Sequence, residues 1–114
     1  MSFFLHGLGH FHPENVITNQ FLEDLDIGTD EQWILERVGI HSRRTVLSLD
    51  YIKETKNIDY RQAGEASIYT HAETGKMAAE MALARSGLSR DSIGMVIAGS
   101  SRPSFSSPAP YMSA

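Results

Sequence analysis

Short apolar stretches separated by polar turns run along the first part of the chain, and each predicts one element. Residues 3–11 hold many aromatic and aliphatic side chains in a short span, which is typical of a β-strand. Residues 16–17 predict a brief second strand, and a helix follows that Thr18 or Asn19 can cap. The apolar positions of this helix form one stripe, at Phe21, Leu22 and Leu25.

A second, shorter helix is predicted around the single tryptophan. Thr29 and Gln32 have the spacing of a capping box, which would begin the helix. Gly39 stands where a left-handed C-terminal cap belongs. Ile34 and Val38 are four positions apart, so they are predicted to form an adjacent apolar pair on one face.

The rest of the chain alternates unpatterned and strongly patterned stretches. Residues 40–46 are predicted to be extended, whereas residues 47–60 fit a functional loop and a plain connector equally well. Residues 73–86 are predicted to form a helix that ends at Gly87. Residues 95–98 are continuously apolar, as in a strand buried on both faces. Four alanines keep the helix thin: Ala78, Ala79, Ala82 and Ala84. This order predicts an α/β domain with helices layered on a sheet.

Composition narrows the classes of function. The 114 residues are 41% hydrophobic and 21% charged, as in an ordinary globular domain. A net charge of −4 argues against a broad nucleic-acid-binding surface. No apolar run could cross a bilayer, and the N-terminal residues do not resemble a signal peptide, so a cytoplasmic location without membrane contact is predicted. The chain has no cysteine, which excludes disulfides and thiolate metal sites within it.

The candidate chemistry lies in the tryptophan helix. Trp33 and Arg37 are four apart and are predicted to project side by side, with Arg43 and Arg44 following closely. An aromatic ring beside a fixed cation suits a ligand that carries an aromatic base and phosphates. The alternative from spacing alone is a core tryptophan beside an ordinary surface arginine.

Several features occur together in one chain order. They are Gly7-Leu8-Gly9, residues 13–19, an acidic helix, residues 29–44, the alanine-rich helix ending at Leu88, residues 93–99 and a Ser/Pro loop to Pro108. In this order they resemble the N-terminal portion of β-ketoacyl-acyl carrier protein synthase III enzymes, a family of the thiolase superfamily. The resemblance spans nearly all of the chain except roughly residues 46–65.

The resemblance implies the five-layer αβαβα thiolase-like fold, with residues 1–114 as the N-terminal portion of that domain. The family's nucleophilic cysteine, histidine and asparagine would all fall after Ala114, so no catalytic residue is assigned within the chain. We therefore expect an incomplete chain, which is either an N-terminal fragment or one piece of a cleaved or split enzyme.

The resemblance also implies an activity and partners. The whole enzyme would be a homodimeric acyltransferase that takes an acyl group from acyl-CoA and condenses it with malonyl-acyl carrier protein by decarboxylation. This step belongs to fatty acid or related secondary-metabolite biosynthesis and uses coenzyme A thioester as substrate, with no separate cofactor. The alternative is a non-catalytic thiolase-like subunit or binding module that pairs with a catalytic chain.

In the family, the tryptophan and arginine that match Trp33 and Arg37 hold the adenine end of coenzyme A. Thr29 lies near a threonine that lines the same mouth, although an additional residue in the spacing supports it better as a helix cap. Arg43 and Arg44 are assigned to phosphate or carrier-protein contact, with ordinary solvated arginines as the alternative. Ser107 takes the place of a bulky residue on the acyl-pocket loop at the dimer interface, which predicts a wider acyl pocket.

Two further motifs are interpreted as structural. His10 and His12 would share one face of a strand, but two ligands without a third are a weak metal site, and no metal site is predicted. Gly7-Leu8-Gly9 lacks the third glycine of a dinucleotide-binding loop, and Pro13 follows where that motif requires a helix.

Overall fold

The structure is a computed structural model that describes residues 1–100. The regular elements, in chain order, are β1 (Asn15–Thr18), α1 (Asn19–Asp24), α2 (Glu31–Val38), β2 (Ser42–Thr45), α3 (Leu49–Thr55), α4 (Tyr60–Ala66), α5 (His71–Ser86) and a 3-10 turn (Arg90–Ser92). Mixed helix and strand agree with the predicted α/β class. None of the helices in this part of the chain is long and apolar enough to span a membrane.

The described chain divides into two compact units, one formed by residues 13–68 and the other by residues 1–12 with the chain from Tyr69 onward. In the 13–68 unit, β1 and β2 pair as an antiparallel ribbon with Asn15 opposite Thr45 and Thr18 opposite Ser42. The predicted strand at residues 16–17 and the extended chain at 40–46 are therefore confirmed.

The core of the 13–68 unit is small and comes from its helices. Leu25, Ile34 and Ile52 are the apolar residues with less than a tenth of their surface exposed. Burial of such side chains is worth about 1.5–3 kcal/mol each. The predicted apolar stripe of α1 is confirmed at Leu25, whereas Phe21 and Leu22 are half-buried.

Residues 47–60, which had no clear pattern, are largely helical. Ser48 caps α3 by accepting a hydrogen bond from the Tyr51 backbone N–H at 3.0 Å. After α4 the chain returns to the end of β2, where the Ile68 N–H donates to the Val46 carbonyl at 2.8 Å. The two helices therefore form an insertion that begins and ends beside the ribbon.

The cap of α2 differs from the prediction by one residue. Asp30, not Thr29, is the N-cap, and its carboxylate accepts a hydrogen bond from the Trp33 N–H at 2.7 Å. Gln32 donates to Glu36 instead of closing a capping box. Both Thr and Asp can cap a helix, and here the carboxylate, one residue closer, reaches the backbone donor. Gly39, with φ 66°, ends the helix as predicted.

In the other unit, α5 is the longest helix. It begins with a capping box between Thr70 and Glu73 and ends at Gly87 with φ 72°, close to the predicted bounds. Its alanine face admits a neighbouring backbone. Gly7 and Gly9 pass so close to Ala82 that a β-carbon at Gly9 would stand 3.0 Å from the Ala82 side chain. The thin alanine face of α5 therefore accommodates the backbone at Gly7 and Gly9.

The strands predicted at residues 3–11 and 95–98 are wrong for the described chain. Neither segment has a hydrogen-bonded ladder within residues 1–100. Strand geometry requires backbone partners on a neighbouring strand, and an apolar pattern does not supply them. Most apolar side chains of both segments are exposed, including Phe3 and Ile97, whereas Phe11 is half-buried.

Candidate functional site

The tryptophan helix presents an exposed aromatic ring and a guanidinium together. The Trp33 side chain is 49% exposed, and the Arg37 guanidinium carbon lies 5.9 Å from the centre of its ring. This distance is within the range of a cation–π interaction. Trp33 is therefore not a core residue of the described chain, and its ring lies beside the Arg37 guanidinium as the spacing predicts.

The orientation of α2 follows from which of its side chains is buried. Ile34 is 5% exposed and anchors the helix to the core, so its neighbour Trp33 points away from that core. Val38 is exposed, and it does not share the burial of Ile34 as the predicted apolar pair would. Ile34 and a 3.0 Å hydrogen bond from the Glu31 N–H to the Glu23 carboxylate hold this eight-residue helix, and its outer surface is available for contacts.

A second face of α2 has a different charge. A shallow depression beside the helix is lined by Gln20, Glu23, Asp30, Glu31, Gln32, Leu35 and Glu36. Its carboxylates would repel phosphate groups. Trp33 and Arg37 are not part of its wall, nor of the neighbouring depression around Phe21 and Lys53. The two faces of α2 therefore differ in the ligands that they can accept.

Thr29 does not present its hydroxyl to solvent. The oxygen is buried and has no hydrogen-bond partner within the described residues. A buried hydroxyl cannot contact a bound ligand without a local rearrangement, which weakens the assignment of Thr29 to the nucleotide site.

Arg43 and Arg44 lie on opposite faces of the β1–β2 ribbon because successive side chains of a strand alternate. Arg43 is half-buried, and its Nη1 donates to the Asn19 Oδ1 at 3.1 Å. Arg44 is exposed, and its Nη1 donates to the carbonyls of Pro13 and Glu14 at 3.1 and 3.3 Å. The two arginines therefore cannot bind one phosphate as a pair.

Sequence reasoning considered Asn19 only as a helix cap and missed its tertiary contacts. The cap of α1 is Thr18, whose hydroxyl accepts from the Phe21 N–H. The Asn19 side chain is instead buried, and its Nδ2 donates to the Ile40 carbonyl at 2.8 Å while its Oδ1 accepts from Arg43. No local signal indicates these contacts, because the partners are 21 and 24 residues away.

The histidine pair lies in the other unit. The rings of His10 and His12 are 5.0 Å apart at an angle of 38°. Within the part of the chain that the structure describes, no group of three or more histidine, aspartate or glutamate side chains is placed to hold a metal ion. The geometry therefore adds no third ligand to the pair.

Several curated proteins similar to this chain share one name. A β-ketoacyl-[acyl-carrier-protein] synthase III of Rhizobium rhizogenes is 35% identical over 103 residues, which are 90% of this chain and 26% of that protein. Proteins of the same name from Rhizobium meliloti and Acidiphilium cryptum are each 34% identical, over 90% and 96% of the chain and 26% and 28% of their own length. The chain is homologous to β-ketoacyl-[acyl-carrier-protein] synthase III. The predicted resemblance to the N-terminal portion of these enzymes is thereby confirmed.

The homology to synthase III covers a part of those proteins. The chain spans about a quarter of the length of the curated relatives that it matches. No family model matches it, and no solved structure matches it either. Ser107, predicted to lie on the acyl-pocket loop of a synthase III, falls outside the described residues.

Proposed function

We propose that these residues are the N-terminal portion of a synthase III-like condensing enzyme and that Trp33 and Arg37 bind the adenine nucleotide end of its acyl-CoA substrate. The observation that carries the proposal is the half-exposed indole with a guanidinium 5.9 Å from its centre. Homology to synthase III over about nine-tenths of the chain supports the same assignment.

The geometry suits a nucleotide because each group serves a different part of it. An exposed indole offers a flat surface on which an adenine can stack, and such stacking is worth about 1–3 kcal/mol per base. Arg37 carries a permanent positive charge that can donate hydrogen bonds to phosphate oxygens. The acidic face of α2 would repel the phosphates and so favours binding at the Trp33 face.

The arginines of β2 receive separate roles in the proposal. Arg43 is held by Asn19 and is proposed as a phosphate contact. Arg44 is exposed on the opposite face and is proposed to contact the acyl carrier protein. Thr29 remains a weaker proposal at the nucleotide site, since its hydroxyl is buried.

The whole protein would be a homodimer with the layered thiolase-like fold, acting in the cytoplasm. It would transfer an acyl group from coenzyme A to a cysteine thiol and release free coenzyme A. Decarboxylation of malonyl-acyl carrier protein would then supply the carbanion that attacks the acyl thioester and expels the thiolate. No cofactor is required besides the coenzyme A thioester substrate.

Coenzyme A binding by the chain tests the site. Trp33→Ala should weaken binding by about 5- to 150-fold, which corresponds to the loss of one base-stacking contact. Arg37→Ala should weaken it as well, and Arg37→Lys should restore only part of the affinity because the ammonium lacks the planar fork. Arg61→Ala, which removes an exposed arginine from α4, is the matched control and should bind like the parent.

Competition separates the two ends of the ligand. Adenosine 3′,5′-bisphosphate should displace coenzyme A from the parent chain, and pantetheine should not. Parent-like binding by both Trp33→Ala and Arg37→Ala would refute the site.

A second candidate is a non-catalytic thiolase-like subunit or binding module that pairs with a separate catalytic chain. Intact mass of the full gene product after incubation with acetyl-CoA distinguishes the two. A stable acetyl adduct that maps to a cysteine supports the condensing enzyme. A product with coenzyme A affinity and no acylated residue supports the binding subunit.

A further inference from the structure

Asn19 is the most deeply buried polar side chain of the described residues, with 1% of its surface exposed. A buried amide must form hydrogen bonds to offset its lost hydration. Asn19 uses both ends of its carboxamide, since Nδ2 donates to the Ile40 carbonyl and Oδ1 accepts from Arg43 Nη1. An apolar residue could fill the same space, but it could not select these two partners.

The first partner connects Asn19 to the end of α2. Ile40 follows the left-handed Gly39 that terminates the helix, and Arg37 occupies the last helical turn just before it. The 2.8 Å bond from Asn19 therefore attaches the start of α1 to the chain immediately after the Arg37 turn.

The second partner connects Asn19 to the ribbon. Arg43 pairs with Ile17 across β1 and β2, so its side chain rises on one face of that ribbon. The 3.1 Å bond to Asn19 holds its guanidinium on the side where α1 begins. One amide thus fixes the end of α2 and the direction of Arg43 together.

The clearest other attachments of the helix lie before its last turn. Ile34 is the only residue of α2 with less than a tenth of its surface exposed. At the start of the helix, the Glu31 N–H donates to the Glu23 carboxylate at 3.0 Å. The bond from Asn19 adds an attachment beyond the C-terminal end, where Arg37 lies.

We propose that Asn19 is a positioning residue, which sets the place of the Trp33–Arg37 pair and aims Arg43 through its bonds to Ile40 and Arg43. Its effect on coenzyme A rests on the proposed function. Its effect on the mobility of Trp33 does not rest on the proposed function. The positioning role and the proposed function can therefore be refuted separately.

Asn19→Asp is the primary test. The carboxylate keeps the size and the acceptor for Arg43 but loses the N–H donor and faces the Ile40 carbonyl with like polarity. Asn15→Asp is the matched control, because Asn15 Nδ2 donates to the Leu47 carbonyl at the same 2.8 Å but holds the opposite end of the ribbon. Urea unfolding of both variants establishes their stabilities.

Two measurements, fluorescence anisotropy and coenzyme A affinity, report directly on the proposed site. Trp33 is the only tryptophan, so fluorescence anisotropy reports on it alone. In Asn19→Asp the anisotropy should fall and coenzyme A should bind at least about 5-fold more weakly than in Asn15→Asp. Parent-like anisotropy and affinity in Asn19→Asp would overturn the proposal. Changes of equal size in both variants would show a general loss of stability and would overturn it too.

Asn19→Ser is the second variant if Asn19→Asp does not fold, because the shorter side chain cannot reach both partners. Failure of both to fold, while Asn15→Asp folds, would assign Asn19 to folding and contradict a positioning role. If the parent chain does not bind coenzyme A, the proposed function fails. The anisotropy comparison then still decides the role of Asn19.

Discussion

The two units of the chain use apolar side chains in opposite ways. Residues 13–68 bury Leu25, Ile34 and Ile52. In the unit of residues 1–12 and 69–100, no described residue is buried to that degree, and Phe3 and Ile97 are 89% and 88% exposed. Both units contain strongly apolar sequence, so the difference lies in the partners that each segment finds.

The comparison shows what an apolar pattern requires before it becomes a core. Ile34 is buried because α1, α2 and the ribbon come from nearby sequence and pack without further chain. The segment around Ile97 has the composition of a central strand, but a central strand is buried only between two paired neighbours and covering helices. Its burial therefore depends on a sheet that is absent from the described residues.

The largest expected effect on stability comes from comparing a buried isoleucine with an exposed one. Ile34→Ala should lower the free energy of unfolding by about 2–5 kcal/mol, because it leaves a cavity in the core. Ile97→Ala should change it by no more than about 0.5 kcal/mol, because the side chain is already exposed. Urea unfolding of both variants provides the measurement. A large loss in Ile97→Ala would show that this strand-like segment is covered in solution.

A smaller loss of stability is expected from a substitution where α5 meets the N-terminal segment. Gly9→Ala should cost about 1–3 kcal/mol, because the new methyl group would collide with the backbone and side chain at Ala82. Gly94→Ala is the control in the same unit, since nothing lies within 4 Å of its added carbon. Equal thermal stability of the two variants would contradict the close packing of Gly9 on the alanine face.

The N-cap of α2 should contribute about 0.5–2 kcal/mol to the free energy of unfolding. Asp30→Ala removes the acceptor for the Trp33 N–H and should lower the free energy of unfolding by that amount. Thr29→Val removes a buried hydroxyl that has no partner in the described chain, so it should cause no loss. The reverse order of effects in chemical denaturation would place the cap at Thr29, as the sequence predicted.

The smallest expected effect is a change in stability at acidic pH. The hydrogen bond from the Thr70 backbone, and then that from its side chain, lower the pKa of the Glu73 carboxyl below its usual value. A lowered folded-state pKa stabilises the protein above the unfolded pKa, and this contribution is lost as the pH falls through the folded value. Glu73→Gln keeps a capping side chain without the titration. Circular dichroism melts should show the parent losing stability in acid relative to this variant. Parallel pH profiles would contradict the linkage.

Local features were predicted well because they depend on residues one to four positions apart. Trp33 and Arg37 meet as the helical spacing requires, and Gly39 and Gly87 end their helices in the left-handed conformation. The cap at Asp30 shows the limit of such reasoning. Thr29 and Asp30 are adjacent residues with similar capping ability, and the choice between them depends on a small energy difference.

The split of Arg43 from Arg44 was within reach of the sequence, since an extended chain alternates its side chains. The face toward which each arginine side chain points could not be predicted, because it depends on pairing with β1, whose residues are far away in the chain. The role of Asn19 could not be predicted either. An asparagine at this position suggests a helix cap, but its hydrogen-bond partners come from the chain after α2 and from β2.

By itself, the sequence determined α1, α2 and α5, the glycine ends of α2 and α5, the adjacency of the indole and guanidinium, and the relationship to synthase III. These follow from backbone geometry within a turn or from the order of motifs along the chain. Only the tertiary structure decided that Trp33 faces outward, that Asn19 holds the Ile40 carbonyl, and that Phe3 and Ile97 stay exposed in the described chain. Burial and long-range hydrogen bonds are decided by which distant segments meet, and that depends on how the whole chain packs.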